Sequence, residues 1–147
     1  MTLRTGHIGL NVTDLDRSLA FYRDVLGFTA IGEGKEEGRR YAFLGDGESL
    51  VLTLWQQAEA AFAGDRAGLH HLAFEADSIE RVRQYEQALR TYGVDFAHEG
   101  VVAHREGSAS GGIFFHDPDG TRLEISVPSG ADGAPAPVEA APTCGFF

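Results

Sequence analysis

The strongest constraint on the fold is an internal repeat, because a duplicated segment has to build two copies of one structural unit. Two segments, beginning at Gly6-His7-Ile8 and at His70-His71-Leu72, align when the chain is shifted against itself by 64 residues. Each begins with a short apolar strand pattern and continues into a helix pattern. The aligned pairs are His7 and His71, Leu15 and Ile79, Asp16 and Glu80, Arg17 and Arg81, and Phe21 and Tyr85.

Both halves predict the same order of elements after the repeated strand. The first helix is expected to begin at Thr13 or Asp14 and to stop at Gly27, and the second to begin at Asp77 or Ser78 and to stop at Gly93. Strand-like runs follow each helix, joined by turns rich in Asp, Pro and Gly that are typical of hairpins. These runs are 40–44 and 50–55 in the first half, and 112–116 and 121–127 in the second. We therefore predict an α+β fold of two paired βαβββ modules whose curved mixed sheets enclose a cleft.

The alternation of side chains along the strands predicts which residues face this cleft. Ile8 and Leu10, Leu72 and Phe74, and Leu123 and Ile125 belong to the buried faces. The opposite faces then carry three possible metal ligands, which are His7, His71 and Glu124.

Two imidazoles and one carboxylate on rigid strands form a metal site with coordination positions left open for water or substrate. We therefore expect a metal-containing cleft with one divalent ion, which could be Fe, Ni, Zn or Mn. The substrate-binding candidates on the same faces are Asn11, Trp55, Phe114 and Arg122. The patterns identify no catalytic acid or base.

The repeat also predicts what corresponds to Glu124 in the first half. Laying Phe43 on Phe115 places Leu52 there, and a one-residue gap places Val51 there. Neither side chain can bind a metal, so three protein ligands are favoured over four. The parity of His70 with Leu72 predicts that His70 points toward the helix layer. His98, His104 and His116 are open as acids, bases, substrate contacts or surface histidines.

These motifs resemble the vicinal oxygen chelate superfamily, which unites glyoxalases, bleomycin-resistance proteins and extradiol dioxygenases. The resemblance lies in His7 followed by Thr13-Asp14-Leu15-Asp16-Arg17-Ser18-Leu19-Ala20-Phe21-Tyr22, in His70-His71-Leu72-Ala73-Phe74, and in Phe115-His116-Asp117-Pro118-Asp119-Gly120 with Glu124. It covers residues 5–127. It implies paired βαβββ modules, usually in a homodimer, with metal ligands at His7, His71 and Glu124.

Within this superfamily the resemblance does not single out one reaction. Glyoxalase I-like and epimerase-like members imply a fourth ligand, which the alignment above does not supply. Extradiol dioxygenases and fosfomycin-resistance transferases imply two His and one Glu but also a tyrosine, where this chain has Phe114. We expect a metal-dependent enzyme that chelates adjacent oxygens of a small organic substrate, with dioxygenase-like chemistry slightly favoured. The alternatives are a lyase, isomerase or thiol transferase, and a non-catalytic drug-binding resistance protein.

Composition limits the partners. The formal net charge of -10, with Lys35 as the only lysine, is unfavourable for nucleic acid. No apolar run approaches the roughly 20 residues of a membrane span. A single cysteine, Cys144, cannot form an internal disulfide, so a cytoplasmic location is expected. A small-molecule substrate and a homodimer are the expected partners.

The domain prediction is a single vicinal-oxygen-chelate domain over residues 1–127, with module one at about 5–60 and module two at about 67–127. The tail 128–147 is rich in Pro, Ala and Gly and holds four of the five prolines. We expect its Phe146 and Phe147 to dock in an apolar groove of this subunit or of its dimer partner. Cys144 is interpreted as an incidental thiol.

Overall fold

The computed structural model describes residues 1–147 and divides into two compact units, Met1–Phe62 and Ala63–Phe147. Each unit contains one four-stranded mixed sheet and one main helical segment. The predicted α+β fold with two βαβββ modules is therefore confirmed. The prediction that residues 1–127 form a single domain stays a prediction. None of the helices is both long and apolar enough to cross a membrane.

The first unit has the sheet order β1-β4-β3-β2, with β1 parallel to β4 and the other pairs antiparallel. Asp14 caps the first helix because its side chain accepts a hydrogen bond from the backbone N–H of Arg17. The helix continues as a π-helical segment, and Gly27 follows it with φ of +84°. The elements are β1 (Ile8–Asn11), α1 (Leu15–Leu19), the π-helical segment (Ala20–Val25), β2 (Thr29–Gly34), β3 (Tyr41–Gly45) and β4 (Leu50–Trp55).

The second unit repeats this arrangement in the order β5-β8-β7-β6, with β5 parallel to β8. Ser78 caps its helix at the N-terminus, and Gly93 ends it in the left-handed conformation at φ of +94°. The elements are β5 (Leu72–Glu75), α2 (Ile79–Tyr92), β6 (Val102–Ala103), β7 (Gly111–His116), β8 (Arg122–Val127) and a 3-10 turn (Thr143–Gly145).

The core of each unit lies between its helix and one face of its sheet. In the second unit Val82 and Leu89 from α2 are fully buried, as are Ile113, Phe115 and Leu123 from the sheet. Burying side chains of this size contributes roughly 1.5–3 kcal/mol each. Because neighbouring residues of a strand point to opposite faces, Phe114 and Glu124 project from the other face of the sheet.

Strand register corrects the predicted alignment of the two halves. Gly9 pairs with Thr53 in the first sheet, and Ala73, which matches Gly9 in the repeat, pairs with Glu124 in the second. Thr53 likewise lies opposite Phe43, as Glu124 lies opposite Phe114. Thr53 is therefore the structural equivalent of Glu124, and the predicted Leu52 and Val51 were wrong. The error arose because Phe114 and Phe115 are adjacent. The predicted alignment matched Phe43 with Phe115, whereas the strand register matches Phe43 with Phe114.

Candidate metal and substrate site

The candidate site is built on the face of the second sheet from which Glu124 projects, hereafter the site face. Glu124 lies in the middle of β8 between β5 and β7, and only 3% of its surface is exposed. An ionised carboxylate in such a position is costly unless charged or hydrogen-bonding groups surround it. Its two oxygens point to two different imidazoles.

One carboxylate oxygen, Oε1 of Glu124, accepts a short hydrogen bond from Nε2 of His104. The other ring nitrogen of His104, Nδ1, is 2.9 Å from Oγ of Ser110, which is in turn 2.8 Å from Oγ of Ser108. Because a carboxylate can only accept, Nε2 of His104 is the donor, and in the neutral imidazole Nδ1 then accepts from Ser110. This series of hydrogen bonds, from Ser108 through Ser110 and His104, holds the carboxylate of Glu124 in one orientation.

The second oxygen, Oε2 of Glu124, lies 3.7 Å from Nε2 of His71. This separation is beyond hydrogen-bond length. It suits two ligands of one ion, since two bonds of about 2.1 Å can join donors up to about 4 Å apart. Glu124 and His71 thus have the spacing of a pair of metal ligands. No group of three His, Cys, Asp or Glu side chains in the structure is arranged to hold a metal ion.

The environment of His71 favours the neutral imidazole that a metal requires. Burial lowers its pKa below 6.5, and His70 and Arg122 act in the same direction, against the opposing effect of Glu124. Nδ1 of His71 is 2.9 Å from Nδ1 of His70, so one of the two nitrogens donates a hydrogen bond to the other. If His71 is the donor, its Nε2 keeps the free lone pair toward Glu124.

The structure contradicts the predicted orientation of His70. Its side chain is exposed and lies beside His71, with ring centroids 5.1 Å apart, rather than in the helix layer. The prediction extended strand alternation back to His70, but β5 begins only at Leu72.

The remaining predicted site residues fall into two groups. In the first unit His7 is exposed just before β1, Oδ1 of Asn11 accepts from the backbone N–H of Gln57 at 3.0 Å, and Trp55 donates to Oγ1 of Thr53 at 2.9 Å. In the second unit Phe114 is fully buried, and the guanidinium of Arg122 packs against Gly64. The assignment of His7, His71 and Glu124 as metal ligands stays a prediction, as does that of the substrate-binding residues.

Sequence reasoning underestimated His104. The sequence left it as one of three unassigned histidines, whereas the structure places it against the buried carboxylate. Its position follows from the irregular segment between β6 and β7, where the backbone N–H of His104 bonds to the carbonyl of Ser110 at 3.0 Å. No strand period extends through such a segment, so only the Ser108-x-Ser110 pattern nearby hinted at a polar cluster.

Cys144 is half-buried near this site face, and burial raises the pKa of its thiol, with Glu124 adding to the rise. A thiol that stays protonated is a poor nucleophile. The interpretation of Cys144 as an incidental thiol agrees with this environment.

The fold and the site face together define a duplicated βαβββ protein with imidazoles gathered around one buried carboxylate. Residues 4–125 match the Glyoxalase/Bleomycin resistance protein/Dioxygenase superfamily, and the chain belongs to this superfamily. The predicted resemblance is confirmed.

Three similar proteins illustrate the range of the superfamily. Lactoylglutathione lyase of Haemophilus influenzae is 35% identical over an alignment of 130 residues that covers 81% of this chain and 88% of the lyase. Catechol-2,3-dioxygenase of Bacillus subtilis is 26% identical over 122 residues, but the chain spans only 40% of that protein's length. The crystal structure of the fosfomycin resistance protein FosX of Listeria monocytogenes, complexed with Mn(II) and sulfate, is 21% identical with a TM-score of 0.64, covering 86% of this chain and 93% of FosX. This structural likeness shows the fold.

Proposed function

We propose that the protein is a divalent-metal-dependent enzyme that binds a small organic substrate through two adjacent oxygens. The single observation that carries the proposal is the buried Glu124, with one oxygen fixed by His104 and the other spaced from His71 as in a ligand pair. The Mn(II) named in the FosX structure supports metal use. His7 is the proposed third ligand, and the identity of the ion is left to Fe, Ni, Zn or Mn.

The proposed division of labour follows from the contacts. His71 and Glu124 would hold the ion, which when bound supplies a positive charge that stabilises negative charge on substrate oxygens. His104 is a positioning residue, since it acts by orienting the carboxylate of Glu124. Hydrogen-bonded partners of metal ligands of this kind usually affect affinity strongly.

Oxygenase chemistry on a catechol-like substrate is slightly favoured over lyase chemistry. The position equivalent to Glu124 in the first unit is Thr53, so that unit provides no second carboxylate there. Three protein ligands leave more of the coordination sphere open to substrate and a second reactant. Lyase chemistry is the second candidate because the lyase relative shares 35% identity over most of its length.

Metal analysis tests the proposal directly. Protein dialysed separately against Fe(II), Ni(II), Zn(II) and Mn(II) should hold about one ion per chain for at least one metal, and Glu124→Gln should lose it. His104→Gln should keep the ion but bind it about 10- to 100-fold more weakly. Glu80→Gln, which removes an exposed carboxylate from the first turn of α2, is the matched control and should bind like the wild type.

Two assays then separate the reaction classes. Ferrous-loaded protein should consume oxygen in the presence of catechols if it is an oxygenase, whereas a gain of thioester absorbance from a mixture of methylglyoxal and glutathione would identify a lyase. Stoichiometric metal in Glu124→Gln would contradict the proposed site. A wild-type protein that binds no metal but retains an organic ligand would instead be a sequestering protein.

A further inference from the structure

The segment that follows β8 is attached to the second unit at several points. The backbone N–H of Ala131 bonds to the carbonyl of Ala109, and that of Ala103 to the carbonyl of Pro135, both at 2.9 Å. Thr143 is fully buried, and its hydroxyl donates to the carbonyl of Ala103 at 2.6 Å. Its backbone N–H also donates to the carbonyl of His104 at 2.9 Å. These hydrogen bonds hold the end of the segment next to His104, at the site face.

Its two phenylalanines end in different environments. Phe146 is 52% exposed and is held through its backbone, since its carbonyl lies 3.0 Å from Nε2 of His98 and its N–H donates to the carbonyl of Thr143 at 3.0 Å. The ring of Phe147 is half-buried, with its centroid 5.3 Å from that of Phe114 and 5.6 Å from that of His71. Only Phe147 makes such ring contacts within this subunit, so the predicted docking of Phe146 on the same subunit was wrong. Docking of Phe146 on a dimer partner stays a prediction.

The surroundings of Phe147 differ from those of an ordinary apolar groove. Besides Phe114, the ring is bordered by His71 and His116 and by the guanidinium of Arg122, 5.9 Å from the ring centroid. Ionisable side chains are unfavourable surroundings for a buried hydrocarbon ring, but they can interact with a ligand that has both a π-face and polar substituents. The ring thus lies directly beside His71, the partner of Glu124.

We propose that the site face carries a subsite for a planar aromatic ring, bordered by His71, Phe114 and His116, which the chain fills with its own Phe147 and which a ligand must take over. The subsite stands on the ring contacts alone. Its assignment to the substrate rests on the proposed function, and the ligand class is then a planar ring bearing adjacent oxygens.

Binding to metal-free protein tests the subsite without involving the proposed ion. In EDTA, equilibrium dialysis should show 4-nitrocatechol binding about tenfold more tightly to Phe147→Ala than to the wild type, since the competing ring and its contacts with His71, Phe114 and His116 are removed. Phe146→Ala is the matched control, because it removes an exposed ring and keeps the backbone carbonyl, and it should bind like the wild type. Cyclohexane-1,2-diol, which has adjacent oxygens without a planar ring, should gain nothing from either substitution.

Cys144 reports whether the segment moves, because it is the only cysteine and lies three residues before Phe147. Saturating 4-nitrocatechol should increase the rate at which iodoacetamide alkylates Cys144 in the metal-free wild type, as measured by mass spectrometry. Unchanged alkylation, equal affinities of Phe147→Ala and Phe146→Ala, or an equal gain for cyclohexane-1,2-diol would overturn the inference. Thermal melting verifies that both variants are folded.

The outcomes distinguish this inference from the proposed function. If metal-free Phe147→Ala binds 4-nitrocatechol more tightly and the wild type binds no metal, the subsite is supported and the proposed metal-dependent function is contradicted. If the wild type binds one metal ion that Glu124→Gln loses, and Phe147→Ala binds 4-nitrocatechol no more tightly than the wild type, the proposed function is supported and the subsite is contradicted.

Discussion

At the scale of single residues, the site depends on how one buried carboxylate is surrounded. Glu124 is almost fully buried, so each of its oxygens requires a partner. His104 provides one, and His71 stands at ligand spacing from the other. The equivalent position in the first unit, Thr53, is equally buried but is a hydroxyl that accepts from Nε1 of Trp55. This strand position therefore carries a carboxylate only in the second unit.

Thr53→Val tests this asymmetry. The substitution keeps the shape of the side chain but leaves Nε1 of Trp55 without its acceptor, so the free energy of unfolding should fall by about 1 kcal/mol. Metal stoichiometry should stay unchanged, because Thr53 is not among the proposed ligands. Thr29→Val, at an exposed position of β2, is the control and should alter neither quantity. Loss of the metal in Thr53→Val alone would show that a fourth ligand had been overlooked.

At the scale of elements, the two βαβββ units place corresponding residues by the same strand register. Each parallel pair, β1 with β4 and β5 with β8, carries one small residue opposite the site position, Gly9 in the first case and Ala73 in the second. A Cβ at Gly9 would lie 3.2 Å from Oγ1 of Thr53, so the sheet is tight at this point. The helices differ more than the sheets, since the first changes to π-helical geometry and the second runs regularly to Gly93.

The end of α2 offers a test at this scale. Gly93 has φ of +94°, and a Cβ added there would meet nothing within 4 Å, so Gly93→Ala is penalised by backbone conformation alone. The free energy of unfolding, measured with urea, should fall by about 1 kcal/mol. Gly6→Ala has equal space and no positive φ, and it should be nearly neutral. Equal effects of the two substitutions would mean that the left-handed cap does not contribute.

At the scale of the whole molecule, the chain is acidic, with a formal net charge of -10, and its first sheet has β2 as an exposed edge. Ile31 on that edge strand is 58% exposed. Edge strands with exposed apolar residues are surfaces on which chains associate unless they are covered. This observation is compatible with the homodimer that the family resemblance implies.

We therefore predict a homodimer in solution. Sedimentation equilibrium should give a mass twice that of the chain at micromolar concentration. The same mass in EDTA would show that association does not need the proposed ion. A single-chain mass under both conditions would contradict the prediction.

Much of the fold could be predicted because it depends on local periodicity. The matched strand and helix patterns, the caps at Asp14 and Ser78, and the glycines that end both helices are all written in short stretches of sequence. Alternation along β8 likewise separates Glu124 from its buried neighbours Leu123 and Ile125. The sequence by itself thus determined the repeat, the family and the face on which the carboxylate lies.

Only the tertiary structure decided which strands pair in which register and which irregular segments reach the site. Thr53 became the equivalent of Glu124 through pairing with Gly9, and a one-residue error in alignment exchanges the faces of a strand. His104 and Phe147 reach the site face from segments without a period, so their positions depend on contacts between residues far apart in the chain. Periodicity reports the geometry of one segment, whereas a site depends on distances between segments.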